Sequence, residues 1–218
     1  MNRNISKETQ FNISYAKMFW LFIFGSILGV VLEGIFCWIR YGRWETHVVS
    51  VWGPFCILYG FGAVGFYLCH ARLHYKKWWI QFLIYCTIGF GIELICGCLL
   101  EFGLHMRAWD YSSHFMNIRG HVSLKMTIVW GIVGIAFSQI TPYIDKALNK
   151  LNSDGLKILS YIITIFMLVN LVVTAAAVWR WKDRHYNVLP QNRLEEFLDQ
   201  NYDDNFMAER FCEWRFLD

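Results

Sequence analysis

Residues 89–130 read GFGIELICGCLLEFGLHMRAWDYSSHFMNIRGHVSLKMTIVW. An apolar helix bearing Glu93 and Glu101 runs into a polar loop holding Trp109-Asp110-Tyr111-Ser112, and then into another apolar helix. An acid inside an apolar helix costs several kcal/mol of desolvation unless it is protonated or paired. That cost marks this stretch as the first place to look for function.

The rest of the chain has the same character. It is 56% hydrophobic and only 17% charged, and the apolar residues fall in long blocks. The pattern predicts an all-α polytopic membrane helix bundle with five transmembrane helices. The expected spans are 18–39, 51–69, 78–101, 126–144 and 156–179. They divide the chain into a polar N-terminal segment (1–17), a five-span membrane domain (18–179) and a charged, partly amphipathic C-terminal tail (180–218). Met1 to Lys17 lacks the apolar core of a cleavable signal peptide. The seven cysteines show no secreted disulfide spacing, and each reads first as a small buried hydrophobe.

Five crossings place the termini on opposite sides. Lys and Arg divide almost evenly between the two faces, so the positive-inside rule gives no orientation. The long charged tail favours a cytoplasmic C-terminus in the cell membrane. Two short helices are expected in the tail. One starts near Pro190 with Leu194, Phe197 and Leu198 on one side; the other is capped by Asp203 or Asp204 and carries Met207, Phe211 and Trp214.

Gly29-Val-Val-Leu-Glu33 is echoed by Gly97-Cys-Leu-Leu-Glu101, and Val51-Trp52-Gly53 by Val129-Trp130-Gly131. This reads as one two-helix unit used twice in parallel, spans 1–2 and spans 3–4, with the fifth span added. Gly25, Gly29 and Glu33 share one helix face, as do Gly89, Glu93 and Gly97, with Glu101 near the same face one turn on. Glu33, Glu93 and Glu101 are therefore expected to face a common interior. There they would bind a proton, a cation or the cationic group of a ligand; otherwise they are structural acids, protonated or paired with a nearby arginine or lysine.

In the loop, Asp110 reads as a turn residue or a general base, Trp109 and Tyr111 as interfacial anchors, and Ser112 as having no triad partners. His105, His114 and His121 fit no compact zinc spacing, so no metal is assigned there. The chain has no Gly-x4-Gly-Lys-Ser/Thr and not one Gly-Lys pair, which excludes nucleotide hydrolysis by this chain on motif grounds. Nothing supports nucleic-acid binding.

Several motifs together resemble a family of bacterial five-span membrane proteins, the ABC-transporter type IV or CmpB-like ABC transporter permeases. They are Phe24-Gly25-Ser26 with Gly29 and Glu33; Gly53-Pro54-x-Cys56-x-x-Tyr59-Gly60-Phe61-Gly62-Ala63; Glu93 and Leu100-Glu101; Trp109-Asp110-Tyr111-Ser112; Asn117; Gly120-x-Val122; and Trp130-Gly131. The resemblance covers roughly residues 19–142. It adds Tyr59 and Asn117 to the substrate- or ion-binding candidates Glu33, Glu93, Glu101, Trp109, Asp110, Tyr111 and Ser112. It implies a permease subunit that needs a separate ATPase. Ile57 and Ser123 depart from the family's usual proline and cysteine, so a cysteine-dependent activity at 123 is not expected. Three functions compete: a permease-like transport protein with an intramembrane carboxylate site, possibly a homo-oligomer; a membrane-embedded enzyme on a lipid-like substrate; and a non-catalytic scaffold.

Overall fold

The computed structural model describes residues 11–45, 47–151 and 153–217. Seven helices dominate it. They are α1 (Tyr15–Tyr41), α2 (Ile57–Leu73), α3 (Trp78–Cys98), α4 (Leu124–Asn149), α5 (Asp154–His185), α6 (Arg193–Asn201) and α7 (Asp204–Arg210). A wider π-helical turn, Leu99–Leu104, continues α3. The four strands are two residues each: β1 (Met106–Arg107), β2 (Asn117–Ile118), β3 (Val122–Ser123) and β4 (Arg215–Phe216), with β1 paired to β4 and β2 to β3, both antiparallel.

Four helices are long and apolar enough to cross a membrane: α1, α3 with its π turn, α4 and α5. The chain is a multi-pass membrane protein. Leu28, Leu32, Phe36, Ile165 and Val172 stay exposed on these helices, as lipid-facing side chains do. The ends follow ordinary capping chemistry. Ser14 accepts from Lys17 N at the start of α1, Gly42 closes it at φ 70°, and Ser123 accepts from Met126 N at the start of α4.

Consecutive helices pair antiparallel through glycines. In the first pair, the space where Gly29 would carry a Cβ is filled by the Tyr59 ring, and Gly25 meets Ala63. In the second pair, Trp130 lies across Gly89, and His121 across Gly97. Tyr59 and Trp130 on one helix of each pair, and His121 in the turn before α4, thus require bare backbone on the facing helix.

The second apolar block departs from expectation. Its helix starts at Ile57, not Val51, and has 17 residues. Residues 47–56 are irregular chain that folds back against α1, where Cys56 N donates to Ser26 O (3.2 Å) near the middle of that helix. Gly53 at φ 71° and Pro54 stop helix formation here. Val51-Trp52-Gly53 therefore stands in a loop, whereas Val129-Trp130-Gly131 stands within α4, so the two tripeptides do not open equivalent helices.

Several polar groups of this segment are taken up by side chains of α5 and of the tail. Val51 N donates to Thr174 Oγ1 (2.9 Å), Trp52 N to Asn170 Oδ1 (3.2 Å), and Asn170 Nδ2 returns to Trp52 O (2.9 Å). Arg210, from the tail, donates to Ser50 O (2.8 Å) and to Gly53 O.

At the opposite end of the bundle a charge is fully enclosed. Lys17, 1% exposed, donates to Asp145 (2.6 Å) and Asn149 (3.1 Å), while Tyr67 donates to the same Asp145 oxygen. Lys17 is thus a buried residue of α1 at the end of the expected N-terminal segment, whose residues 1–10 lie outside the described residues. Lys17→Met alone strands a buried carboxylate and should cost about 3–5 kcal/mol. Lys17→Met with Asp145→Asn should recover more than half of that, read by unfolding in detergent; a double variant as unstable as the single one would contradict the pairing.

Candidate functional site

Where the second apolar segment is interrupted, a cavity of about 280 Å³ opens between α1, α2, α3 and α4. Glu33 of α1 and Glu93 of α3 both line it, close enough for their charges to interact. The first turn of α2 contributes Ile57, Leu58 and Tyr59, and Tyr59 lies close to Glu33. Trp109, Tyr111 and Trp130 complete an aromatic wall.

Glu93 is only 4% exposed. Tyr111 OH donates to its Oε1 (3.3 Å), while Oε2 is buried without a hydrogen-bond partner. The Trp130 indole N–H, also unpartnered, lies near enough to act on its charge. A buried carboxylate oxygen left unpaired costs on the order of 1–3 kcal/mol or more. Such groups concentrate where a ligand or proton completes the site. Of the candidates read from sequence, Glu33, Tyr59, Glu93, Trp109 and Tyr111 meet here.

Glu101, Asp110, Ser112 and Asn117 do not line this cavity. The expectation that three acids share one interior is corrected for Glu101. Beyond Cys98 the helix widens into its π turn, which changes the angular step per residue and carries Glu101 away from the Glu93 face. Glu101 instead accepts from Arg107 (2.9 Å) and Arg119, with His121 Nε2 3.1 Å away but not aligned for hydrogen bonding. Burial, together with the two guanidiniums, holds His121 below its ordinary pKa against the pull of Glu101.

Asp110 is a turn residue. Its Oδ1 accepts from Ser112 Oγ (2.5 Å) and Ser112 N (2.9 Å), and Arg107 lies 3.2 Å away. The Ser112 hydroxyl and amide, then Arg107, hold the carboxyl below the usual carboxylate range. Asn117 ties the same loop, donating to Ser112 O and His114 O and accepting from Gly120 N. Gly120, at φ 76°, has the Asp110 and Ser112 side chains where a Cβ would stand. The motif positions Trp109 and Tyr111: Trp109 Nε1 donates to His121 O (2.7 Å), and Tyr111 N to Gly120 O (2.8 Å).

A family match spans residues 20–175, described as "Putative ABC-transporter type IV". The chain belongs to this family. No curated protein and no solved structure matches the chain. The match includes both cavity acids, Tyr59, the Trp109–Tyr111 wall and Trp130.

The tail lies beyond that ABC-transporter family match, yet it closes the cavity. Phe211, Glu213 and Trp214 line it, and Phe211 is 1% exposed. Sequence reading missed this role. The apolar face of Met207, Phe211 and Trp214 was visible as a pattern, but what it covers is a long-range contact. The preceding helix begins at Arg193, capped by Asn192, three residues beyond Pro190. Leu198 of that helix is buried, whereas Leu194 and Phe197 are exposed.

Charge pairs and a short ladder hold the tail down. Arg180, on the last turns of α5, donates to Asp199 (2.7 Å), and Arg184 donates to Asp199 (2.5 Å) and Asp204 (2.7 Å). Strand β4 pairs with β1, and Leu217 N donates to His105 O (2.9 Å). Cys56, Cys96 and His47 also line the cavity and were not singled out as its residues from sequence.

Burial pushes the Asp199 carboxyl up, but its hydrogen bonds from Arg180 and Arg184 hold it below its ordinary value. A depressed carboxylate contributes stability that is full above the unfolded value of about 3.9 and is lost as pH falls through the folded value. Acidification through that window should therefore release the tail, and Asp199→Asn should release it at neutral pH, both read as faster hydrogen exchange over 193–217. Asp110→Asn should lower stability by about 1–2 kcal/mol through the weakened turn; unchanged melting of that variant would refute the turn role.

Proposed function

We propose that this protein is the permease-like transport component of an ABC-type system and that its site is the cavity holding Glu33 and Glu93. The observation that carries the reading is the unpartnered Glu93 Oε2 on the wall of an aromatic-lined cavity. A ligand with a positively charged group and an apolar body would satisfy it. The charge would be balanced by Glu33 and Glu93, and the body would be held against Tyr59, Trp109, Tyr111 and Trp130, whose ring faces attract cations.

Irregular chain at 47–56 followed by α2 supports a second crossing that is half helix and half loop, giving five crossings in all. Discontinuous helices of this kind form substrate sites in many transporters, because broken backbone is tolerated where it lines a cavity. The first turn of α2 lies beside Glu33, where the positive end of a helix dipole favours a carboxylate. With no nucleotide-binding motif in the chain, energy coupling falls to a separate ATPase subunit. We place the C-terminus, with its charged tail, in the cytoplasm. The alternative of a lipid-modifying enzyme has less support, since Asp110, its general base, is already held by Ser112 and Arg107.

Ethidium, an apolar aromatic cation, is a suitable probe. Glu93→Gln should abolish both ethidium binding to the purified protein and its altered accumulation in expressing cells. Glu33→Gln should weaken binding about tenfold, the equivalent of ~1.4 kcal/mol. Glu101→Gln should leave binding intact. Wild-type binding and accumulation in a well-folded Glu93→Gln protein would overturn the reading.

A further inference from the structure

Beside the cavity acids, a second cluster combines a thiol, an imidazole and a carboxylate. Cys37 is buried on α1, one turn beyond Glu33, and its Sγ lies 3.2 Å from Nε2 of His47. Glu45 Oε2 lies 4.0 Å from the same nitrogen, while its Oε1 is held 2.6 Å from Arg43. One donor atom from each of Cys37, Glu45 and His47 lies within 4.8 Å of the others.

The imidazole is oriented from its far side. Nδ1 hydrogen-bonds Glu213 of the tail, with Glu33 3.6 Å away. A carboxylate on Nδ1 fixes the proton there and leaves the Nε2 lone pair directed at the sulfur, the arrangement found behind metal-ligating histidines. A simple S–H···N bond accounts for the thiol and the ring, and Arg43 holds one oxygen of Glu45, which leaves Glu45 Oε2 beside the pair.

We infer that Cys37, Glu45 and His47 form a binding site for one divalent transition ion of borderline softness, with Zn²⁺ the best chemical fit. Thiolate and imidazole favour such an ion over Mg²⁺ or Ca²⁺. Bonds of about 2.3 Å to sulfur and about 2.0–2.2 Å to nitrogen and oxygen require side-chain shifts on the order of 1 Å from the observed positions. Three protein ligands leave a fourth position open. Through His47 and Glu213, the ion would join the end of α1, the chain that follows it and the tail at the rim of the cavity.

Cobalt(II) titration of the chelator-stripped, full-length protein in detergent tests the site without any transport assay. One equivalent should bind with a thiolate-to-cobalt charge-transfer band, and Zn²⁺ should displace it. Cys37→Ser should remove the band, and His47→Gln should lower affinity at least about tenfold. Glu213→Gln should lower affinity roughly 10–100-fold with the band kept, as loss of an orienting carboxylate does. Cys98→Ser should change neither. Absence of stoichiometric uptake, or a band that survives in Cys37→Ser, would overturn the site. Should Cys37→Ser not purify as a single species, wild-type affinity in His47→Gln would overturn it equally.

Discussion

Irregular backbone reaches the middle of α1, where Cys56 N donates to Ser26 O, and its polar groups must find hydrogen-bond partners. Much of the structure follows from that constraint. Residues 47–56 are satisfied by Ser26 of α1, by Asn170 and Thr174 of α5, and by Arg210 of the tail. An isolated asparagine and threonine on an apolar helix would be costly. Here they act as the hydrogen-bonding surface for a segment that cannot be helical, because it carries Gly53 at positive φ and Pro54. The same segment lines the cavity through His47, Val48, Val49 and Cys56.

Buried charge is handled in different ways in one bundle. Lys17 and Asp145 neutralise each other, with Tyr67 and Asn149 completing the set. Glu101 is enclosed by guanidiniums at the edge of the apolar helix. Glu93 has neither solution: a tyrosine hydroxyl serves one oxygen and nothing serves the other. The first two arrangements are paired within the fold; the third leaves a buried carboxylate oxygen without a partner on the cavity wall.

The tail is part of that cavity, although it lies outside the family match. Arg180 and Arg184 at the end of α5 anchor it through Asp199, and the β1–β4 ladder registers its last residues against the loop after α3. Phe211, Glu213 and Trp214 are therefore set on the cavity by contacts far from themselves. The Trp109–Ser112 loop is organised by the same logic: Asp110, Ser112 and Asn117 hold each other so that Trp109 and Tyr111 face inward.

By itself the sequence determined the apolar helices, since their length and hydropathy are local properties. It also determined the family and the acids embedded in α1 and α3, and it offered a turn at Asp110 beside a general base, between which the contacts to Ser112 decide. Tertiary structure decided the rest. Helical periodicity says which residues share a face but not which faces meet, so Glu33 and Glu93 come together while Glu101, past a π turn that no periodicity predicts, goes to Arg107 and Arg119. Lys17 reads as a loop cation until Asp145, far along the chain, is seen beside it. The seating of Val51 and Trp52 on α5, and the joining of His47 to Glu213, depend on partners more than a hundred residues away, which local sequence does not specify.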